Sequence, residues 1–189
     1  MTITKKGLLY KTRVRWGFLF FLLICVVVGC ASSPSGYQKN TAGPQVRVDP
    51  GTIRLGVARL SGSQILFKGK GFEPGDSVFI NLLGVKKDGK ETDIPIADAQ
   101  VDKDGSFIAE VGMLPKINEI LRAEVGSNEK METVIIISQP PIPEGTYTVR
   151  AVSMESDKTA DTELMVRGPS VLDKVKDWLG ALLGKIEKK

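Results

Sequence analysis

The chain has 189 residues and a formal charge of +4, with 26 basic and 22 acidic side chains, two cysteines and no histidine. Five of the basic residues lie in residues 1–29, which contain no Asp or Glu, so the remainder carries 21 basic and 22 acidic residues. The basic excess therefore belongs to the first segment, and we expect no nucleic-acid partner. The lack of histidine removes the commonest general base, the commonest zinc ligand and any Ser-His-Asp triad.

The first 29 residues have the three-part layout of a secretory signal peptide. A basic region runs to Arg15, and an uncharged apolar run of about 13 residues extends from Trp16 to Val28. A helix that spans a bilayer needs ~20 residues, so this run is short for that purpose. An uncleaved N-terminal anchor helix is the alternative interpretation.

The residues Val27-Val28-Gly29-Cys30 resemble the lipobox, the processing signal of bacterial lipoproteins. The resemblance implies cleavage after Gly29 and attachment of a diacylglycerol group to the Cys30 thiol, with acyl chains such as palmitate holding the protein in a membrane of the cell envelope. Ala31 at the next position resembles an outer-membrane address, facing the periplasm or the cell surface. Residues 30–45 are small, polar and interrupted by Pro and Gly, which predicts a flexible tether.

Residues 46–167 consist of short apolar runs separated by turns, which predicts a mainly β domain. Pro74-Gly75 is typical of a type II turn, and Asp102 to Gly105 of a β-hairpin turn. Leu114 to Val125 has apolar residues at helical spacing, which predicts a short inserted helix. The uninterrupted aliphatic run from Val134 to Ile137 predicts a central strand buried on both sides. The predicted strands cover residues 53–60, 65–70, 77–83, 94–101, 106–111, 134–137, 147–153 and 162–166.

Three turn motifs follow one another in this body: Gly-Phe-x-Pro-Gly-Asp, ending at Asp76, Asp-x-Asp-Gly-Ser-Phe from Asp102, and Pro-x-Gly-Thr-Tyr-Thr-Val from Pro143. With them, residues 53–166 resemble the bacterial immunoglobulin-like domains of secreted and surface proteins. The resemblance implies an antiparallel immunoglobulin-like β-sandwich. It also implies that Tyr147 stands at the tyrosine corner of such sandwiches, where the hydroxyl binds back to the main chain.

Candidate catalytic and metal sites are weak in this sequence. Asp102 to Gly105 could start a calcium loop, but Glu110 does not stand at the spacing that such a loop requires. The remaining acidic residues are spread through turns and exposed strand positions, without a pair set in apolar surroundings as in a glycosidase. We therefore expect no catalytic residues, no metal and no cofactor.

Residues 168–189 predict an amphipathic helix after the β domain. Ser170 is suited to be the N-cap, with Asp173 completing a capping box. Eight apolar residues recur with a helical period and span an arc of about 140°. They are Val171, Leu172, Val175, Trp178, Leu179, Leu182, Leu183 and Ile186. This face predicts contact with a membrane or a protein partner; the alternatives are that it packs on the protein's own sandwich or self-associates.

Together these features predict a lipid-anchored, non-catalytic binding or structural module of the cell envelope. Its expected partners are membrane lipid, through the acyl chains on Cys30, and an envelope protein. Two alternatives stay open. One is an envelope hydrolase or carbohydrate-active enzyme on a sandwich scaffold, and the other is a subunit of a secretion or surface assembly.

Overall fold

A computed structural model describes residues 43–87 and 89–189. The predicted signal peptide, Cys30 and nearly all of the predicted tether lie outside the described residues. The described chain is mainly β, as the sequence predicts. Its strands are β1 (Gln45–Asp49), β2 (Thr52–Arg54), β3 (Leu66–Lys70), β4 (Ser77–Lys87), β5 (Lys90–Gln100), β6 (Ser106–Glu110), β7 (Ala123–Ser127), β8 (Thr133–Ile137), β9 (Gly145–Ser153), β10 (Thr159–Arg167) and β11 (Ile186–Lys188). Its helices are α1 (Val57–Ser61), a π-helix (Pro115–Ile120) and α2 (Val171–Leu182).

Two sheets surround the main core. One has the order β1-β3-β6 and is antiparallel throughout, and the other has the order β2-β10-β9-β4-β5. In the second sheet β2 lies parallel to β10, so the prediction of a wholly antiparallel arrangement is wrong at this edge. The first two strands are consecutive in the chain but belong to different sheets, so the N-terminal segment contributes one edge strand to each.

The core is built from alternate residues of both sheets. Val78, Ile80 and Leu82 of β4 are fully buried, which confirms the face that their alternation predicts. The other sheet contributes Phe67 and Phe107. The turn at Pro74-Gly75 also forms as predicted, because Gly75 has a φ of +85° and the N–H of Asp76 donates to the carbonyl of Glu73 at 3.2 Å.

Two local predictions need correction near the start of the body and at the second turn. The strand predicted over residues 53–60 ends at Arg54, and α1 begins at Val57, because Val57 and Leu60 are three residues apart and bury one helical face. The turn at Asp102 to Gly105 forms, with Gly105 at a φ of +76°. However, it does not make a hairpin, since β5 and β6 belong to different sheets and β6 pairs with β3.

An insertion between β6 and β9 forms the π-helix and a third, small sheet. The helix predicted over Leu114 to Val125 is shorter than expected: Arg122 takes a φ of +51°, and β7 begins at Ala123. Strands β7 and β8 pair antiparallel, and β11 adds to β8 in parallel, giving the order β11-β8-β7. Strand β8 is central as predicted. It is not buried on both sides, because within it only Val134 is buried.

The C-terminal segment contains both α2 and β11. The helix ends at Leu182, and Gly184 takes a φ of +67° as the chain turns, with the N–H of Lys185 donating to the carbonyl of Gly180 at 2.9 Å. Ile186 therefore lies in β11, paired with Ile135 and 7% exposed. The prediction that Ile186 belongs to the exposed helical face is wrong, because the glycine ends the helix before that residue.

Candidate interaction surface on the C-terminal helix

The start of α2 is held by a reciprocal pair of hydrogen bonds. The Ser170 hydroxyl accepts from the N–H of Asp173 at 3.2 Å, and the Asp173 carboxylate accepts from the N–H of Ser170 at 2.9 Å. This confirms the capping box. Asp173 is 5% exposed, and its hydrogen bonds from Ser170 lower the pKa of its carboxyl group below the usual value. The charged form of Asp173 is therefore stabilised in the folded protein.

The acidic side of α2 packs on α1. The Asp177 carboxylate accepts hydrogen bonds from the N–H groups of Val57 at 3.0 Å and of Ala58 at 2.8 Å. These are the first N–H groups of α1, which have no partner inside their own helix. The N-cap of α1 is Gly56, which has no side chain to accept them. Asp177 therefore caps α1 from a distant part of the chain.

Two glycines allow α2 to approach the rest of the protein closely. A Cβ atom added at Gly56 would lie 2.7 Å from the Cβ of Asp173. A Cβ atom added at Gly180 would lie 2.7 Å from Cδ1 of Ile186, so this glycine makes room for β11 beside the helix. Hence the side of α2 that carries Asp173, Asp177 and Gly180 faces the protein.

The opposite side of α2 is exposed to solvent. We call it the apolar face; its side chains are between 44% and 78% exposed. It consists of Val171, Leu172, Val175, Trp178, Leu179, Leu182 and Leu183. These are seven of the eight residues predicted for membrane or partner contact. The alternative that this face packs on the protein's own sandwich is wrong, because the helix packs through its polar side, on α1 and β11, and leaves this face exposed.

The exposed charges around the apolar face are mainly basic. Lys174 and Lys176 are exposed, and at 100° per residue they fall on its two borders. Lys185, Lys188 and Lys189 follow in the exposed C-terminal residues, together with one acid, Glu187. Since both aspartates of α2 face the protein, the exposed surface around the apolar face is basic.

A groove of about 550 Å³ lies beside the π-helix. Arg122 stands in it with the left-handed backbone noted above, and its guanidinium donates to the carbonyl of Lys86. Glu119 and Glu124 also line the groove, and Glu124 is exposed. The lining residues are Lys87, Leu114, Asn118, Glu119, Arg122, Ala123, Glu124, Val125, Ser138 and Gln139.

Asp76 is a buried carboxylate whose hydrogen bonds join the start of β4 to the end of β9. It accepts from the hydroxyl groups of Ser153 and Ser156 and from the N–H groups of Ser77, Glu155 and Ser156. The hydrogen bond from Ser153 contributes most to lowering the pKa of this carboxyl group far below its usual value. Both oxygens are occupied by protein donors, so Asp76 has a structural role.

Two further observations concern only residues 43–87 and 89–189. None of the helices there combines the length and the apolar character that crossing a membrane requires. No group of three or more Cys, Asp or Glu side chains in these ranges is arranged to hold a metal ion.

Comparison with known proteins gave no matching family and no matching curated protein. Among solved structures, a β-glucosidase from Erythrobacter marinus is similar with a TM-score of 0.35 and 11% identity, over 70% of this chain and 15% of that chain. A β-glucosidase from Listeria innocua in complex with isofagomine is similar with a TM-score of 0.35 and 14% identity, over 71% of this chain and 17% of that chain. The chain thus spans less than a fifth of the length of these enzymes, and a likeness at this TM-score carries no argument about fold or activity.

Proposed function

We propose that the protein is a lipid-anchored, non-catalytic module of the bacterial cell envelope. Cys30 carries the acyl chains, the residues that follow form a tether, an immunoglobulin-like sandwich forms the body, and the apolar face of α2 is the contact surface for a membrane or a protein partner. The observation that carries this proposal is that α2 packs on the protein through its charged side and leaves its apolar side in solvent.

The exposed apolar face is part of the folded protein rather than a loosely attached tail. Its helix is capped at Ser170, bonded to α1 through Asp177, and followed by β11, which pairs with β8. Contiguous apolar surface in water is unfavourable, and large exposed apolar patches mark interaction sites in soluble proteins. A helix held in this way presents the apolar face for binding.

The body has features that support an immunoglobulin-like sandwich. Strands β1, β3 and β6 form one sheet, and the other sheet has the order β2-β10-β9-β4-β5. At the start of β9 the Tyr147 hydroxyl donates to the carbonyl of Pro143 at 2.8 Å. A tyrosine at this point, bonded to main chain a few residues upstream, is a hallmark of such sandwiches.

The anchor and the tether set how far the body reaches from the membrane. From Cys30 to Pro44 the chain has room to extend over roughly 50 Å when fully stretched. Ala31 favours the outer membrane, so we place the module in the periplasm or on the cell surface. Acyl chains from lipoprotein processing provide stable attachment, because each buried CH₂ group contributes about 0.8 kcal/mol.

Metabolic labelling with a palmitate analogue tests the anchor in cells that express the full chain. Cys30→Ala should abolish the label, whereas the matched control Cys25→Ala should keep it, since that cysteine lies in the predicted signal peptide. A label that persists in Cys30→Ala would refute the proposal.

A further inference from the structure

We infer that the apolar face of α2 binds the surface of an anionic phospholipid bilayer, with the helix lying parallel to the membrane. This inference rests on the proposed function, which makes the face a contact surface, and it names lipid as what the face contacts. It is carried by the distribution of charge, by Trp178 and by the way both ends of the helix are held.

The charge around the face matches anionic headgroups. Lys174 and Lys176 lie at its two borders and are exposed, so their stems can run along the apolar surface while their ammonium groups reach the headgroup region. Asp173 and Asp177, which would repel anionic lipid, are instead bonded to the protein. Basic side chains near an anionic membrane are attracted to it, and this attraction falls with salt.

Trp178 is suited to the membrane interface. Trp178 is 63% exposed and lies on the apolar face. Indole has an apolar body and one N–H donor, and it concentrates at the boundary between hydrocarbon and water. The polar side of α2 stays bonded to α1, and Ile186 holds the other end in β11. Only one side of the helix can therefore enter the lipid, which gives a shallow interfacial contact.

A second copy of the chain fits this face less well. Two copies packed through their apolar faces would bring lysine borders close to lysine borders, and like charges at an interface oppose association. A groove on a protein partner would need acidic residues along its rims to match the lysines that border the apolar face. Lipid is favoured for a further reason. An anchor at Cys30 already holds the helix near the membrane, so the effective concentration of lipid at the apolar face is high, and even a weak affinity of the helix for lipid is sufficient for binding.

Trp178 itself reports the contact. The chain has two tryptophans, and the other, Trp16, lies in the predicted signal peptide. The full lipoprotein, purified from membranes, is reconstituted in vesicles of phosphatidylcholine, with and without phosphatidylglycerol, that carry bromine-labelled acyl chains. We expect Trp178 emission to shift to the blue and to be quenched, more strongly with phosphatidylglycerol and less at high salt. A Trp178→Phe variant measures the background emission that does not come from Trp178.

Three variants separate the contributions. Lys174→Gln and Lys176→Gln should each weaken the docking equilibrium about fivefold on anionic vesicles, which corresponds to about 1 kcal/mol per lysine near a membrane surface. Leu182→Glu should abolish quenching. The matched control Ile108→Glu alters a side chain that is 64% exposed on β6 and should leave quenching unchanged. Thermal unfolding of each variant checks that it is folded.

The inference is overturned if Trp178 is neither shifted nor quenched while the protein sediments with the vesicles; the anchor would then stand without the helix contact. It is also overturned if the blue shift appears without vesicles and grows with protein concentration, which indicates a second copy, or if the apolar face cross-links to an envelope protein but is not quenched by lipid. Failure of the proposed function would give a different result, namely that Cys30 carries no acyl chains. In that case, quenching of Trp178 by vesicles added to the protein still tests the helix.

Discussion

The carboxylate of Asp177 accepts a hydrogen bond of 3.0 Å from the N–H of Val57, 120 residues earlier in the chain. Gly56, the N-cap of α1, has no side-chain oxygen, so Asp177 supplies from α2 the acceptor that a capping residue ordinarily provides. Because Asp177 must point toward α1 to do so, the opposite side of α2 points away from the protein. One hydrogen-bonded pair thus relates the capping of a short helix to the exposure of the apolar face.

Replacing Asp177 tests this cap. Asp177→Ala leaves the N–H groups of Val57 and Ala58 without their acceptor, and the loss of a cap typically lowers stability by about 1 kcal/mol. We expect that decrease in the free energy of unfolding, measured by urea denaturation. Lys176→Ala is the matched control, since Lys176 is exposed on the same helix. Equal effects of the two substitutions would show that Asp177 does not hold α2 in place.

Gly56 tests the close approach of the two helices. Its φ of −70° suits any residue, so Gly56→Ala brings no backbone strain. The new Cβ atom would nevertheless lie 2.7 Å from the Cβ of Asp173. Overpacking of this kind lowers stability by ~1–3 kcal/mol. Gly145→Ala is the control, because its Cβ atom would meet nothing within 4 Å. Thermal unfolding should show a decrease for Gly56→Ala only; a stabilised Gly56→Ala variant would contradict the packing described.

Tyr147 tests the hydrogen bond at the start of β9. Tyr147→Phe keeps the ring and removes the hydroxyl that donates to Pro143, which should lower the free energy of unfolding by about 1 kcal/mol in a urea titration. Burial raises the pKa of the Tyr147 hydroxyl, an effect that Arg122 partly offsets. The unfolded chain therefore releases this proton first, and stability declines as pH rises through the folded pKa. Thr148→Val, at an exposed position, should leave stability nearly unchanged, and a similar loss in both variants would contradict a specific role of the bond.

The pKa of Asp76 predicts the acid sensitivity of the fold. Since hydrogen bonds, from Ser153 first, lower this pKa in the folded state, the stability that the carboxylate contributes is present above the unfolded value of about 4. It is lost progressively as pH falls from there through the folded pKa. Asp76→Asn should therefore be less stable than the natural protein at neutral pH, and the difference should shrink in acid. Denaturation at a series of pH values measures this, and a difference that stays constant would contradict it. Asp98→Asn, at an exposed position on β5, serves as the neutral-pH control.

Structural features that depend only on neighbouring residues could be predicted from the sequence. The turn at Pro74-Gly75 needs one positive φ, which glycine adopts without strain, and the capping box needs Ser170 and Asp173 three residues apart. Alternation along β4 likewise predicts its buried face. Each of these follows from chemistry within a few residues, so no knowledge of the rest of the fold was required.

Structural features that depend on contacts between residues far apart in the chain could not be predicted from the sequence. The apolar residues of 53–60 fit a strand as well as a short helix, and the choice depends on Asp177, which caps α1 there. Ile186 continues the helical period of α2, but its pairing with Ile135 places it in β11. The spacing of Asp173, Asp177 and Gly180 on one side of the helix was the available hint of a docked face, yet the same spacing is typical of a solvated polar side.

The sequence alone determined that an amphipathic helix with an apolar arc follows Ser170, because capping and periodicity are properties of the segment itself. Its end at Leu182 came from the structure. Only the tertiary structure decided which way that arc points. Burial of apolar surface would favour packing the arc inward, but the inward side is set by the N–H groups of α1, by the space at Gly56 and by the pairing of β11. These contacts are made by residues far apart in the chain, and they leave the apolar face of α2 in solvent.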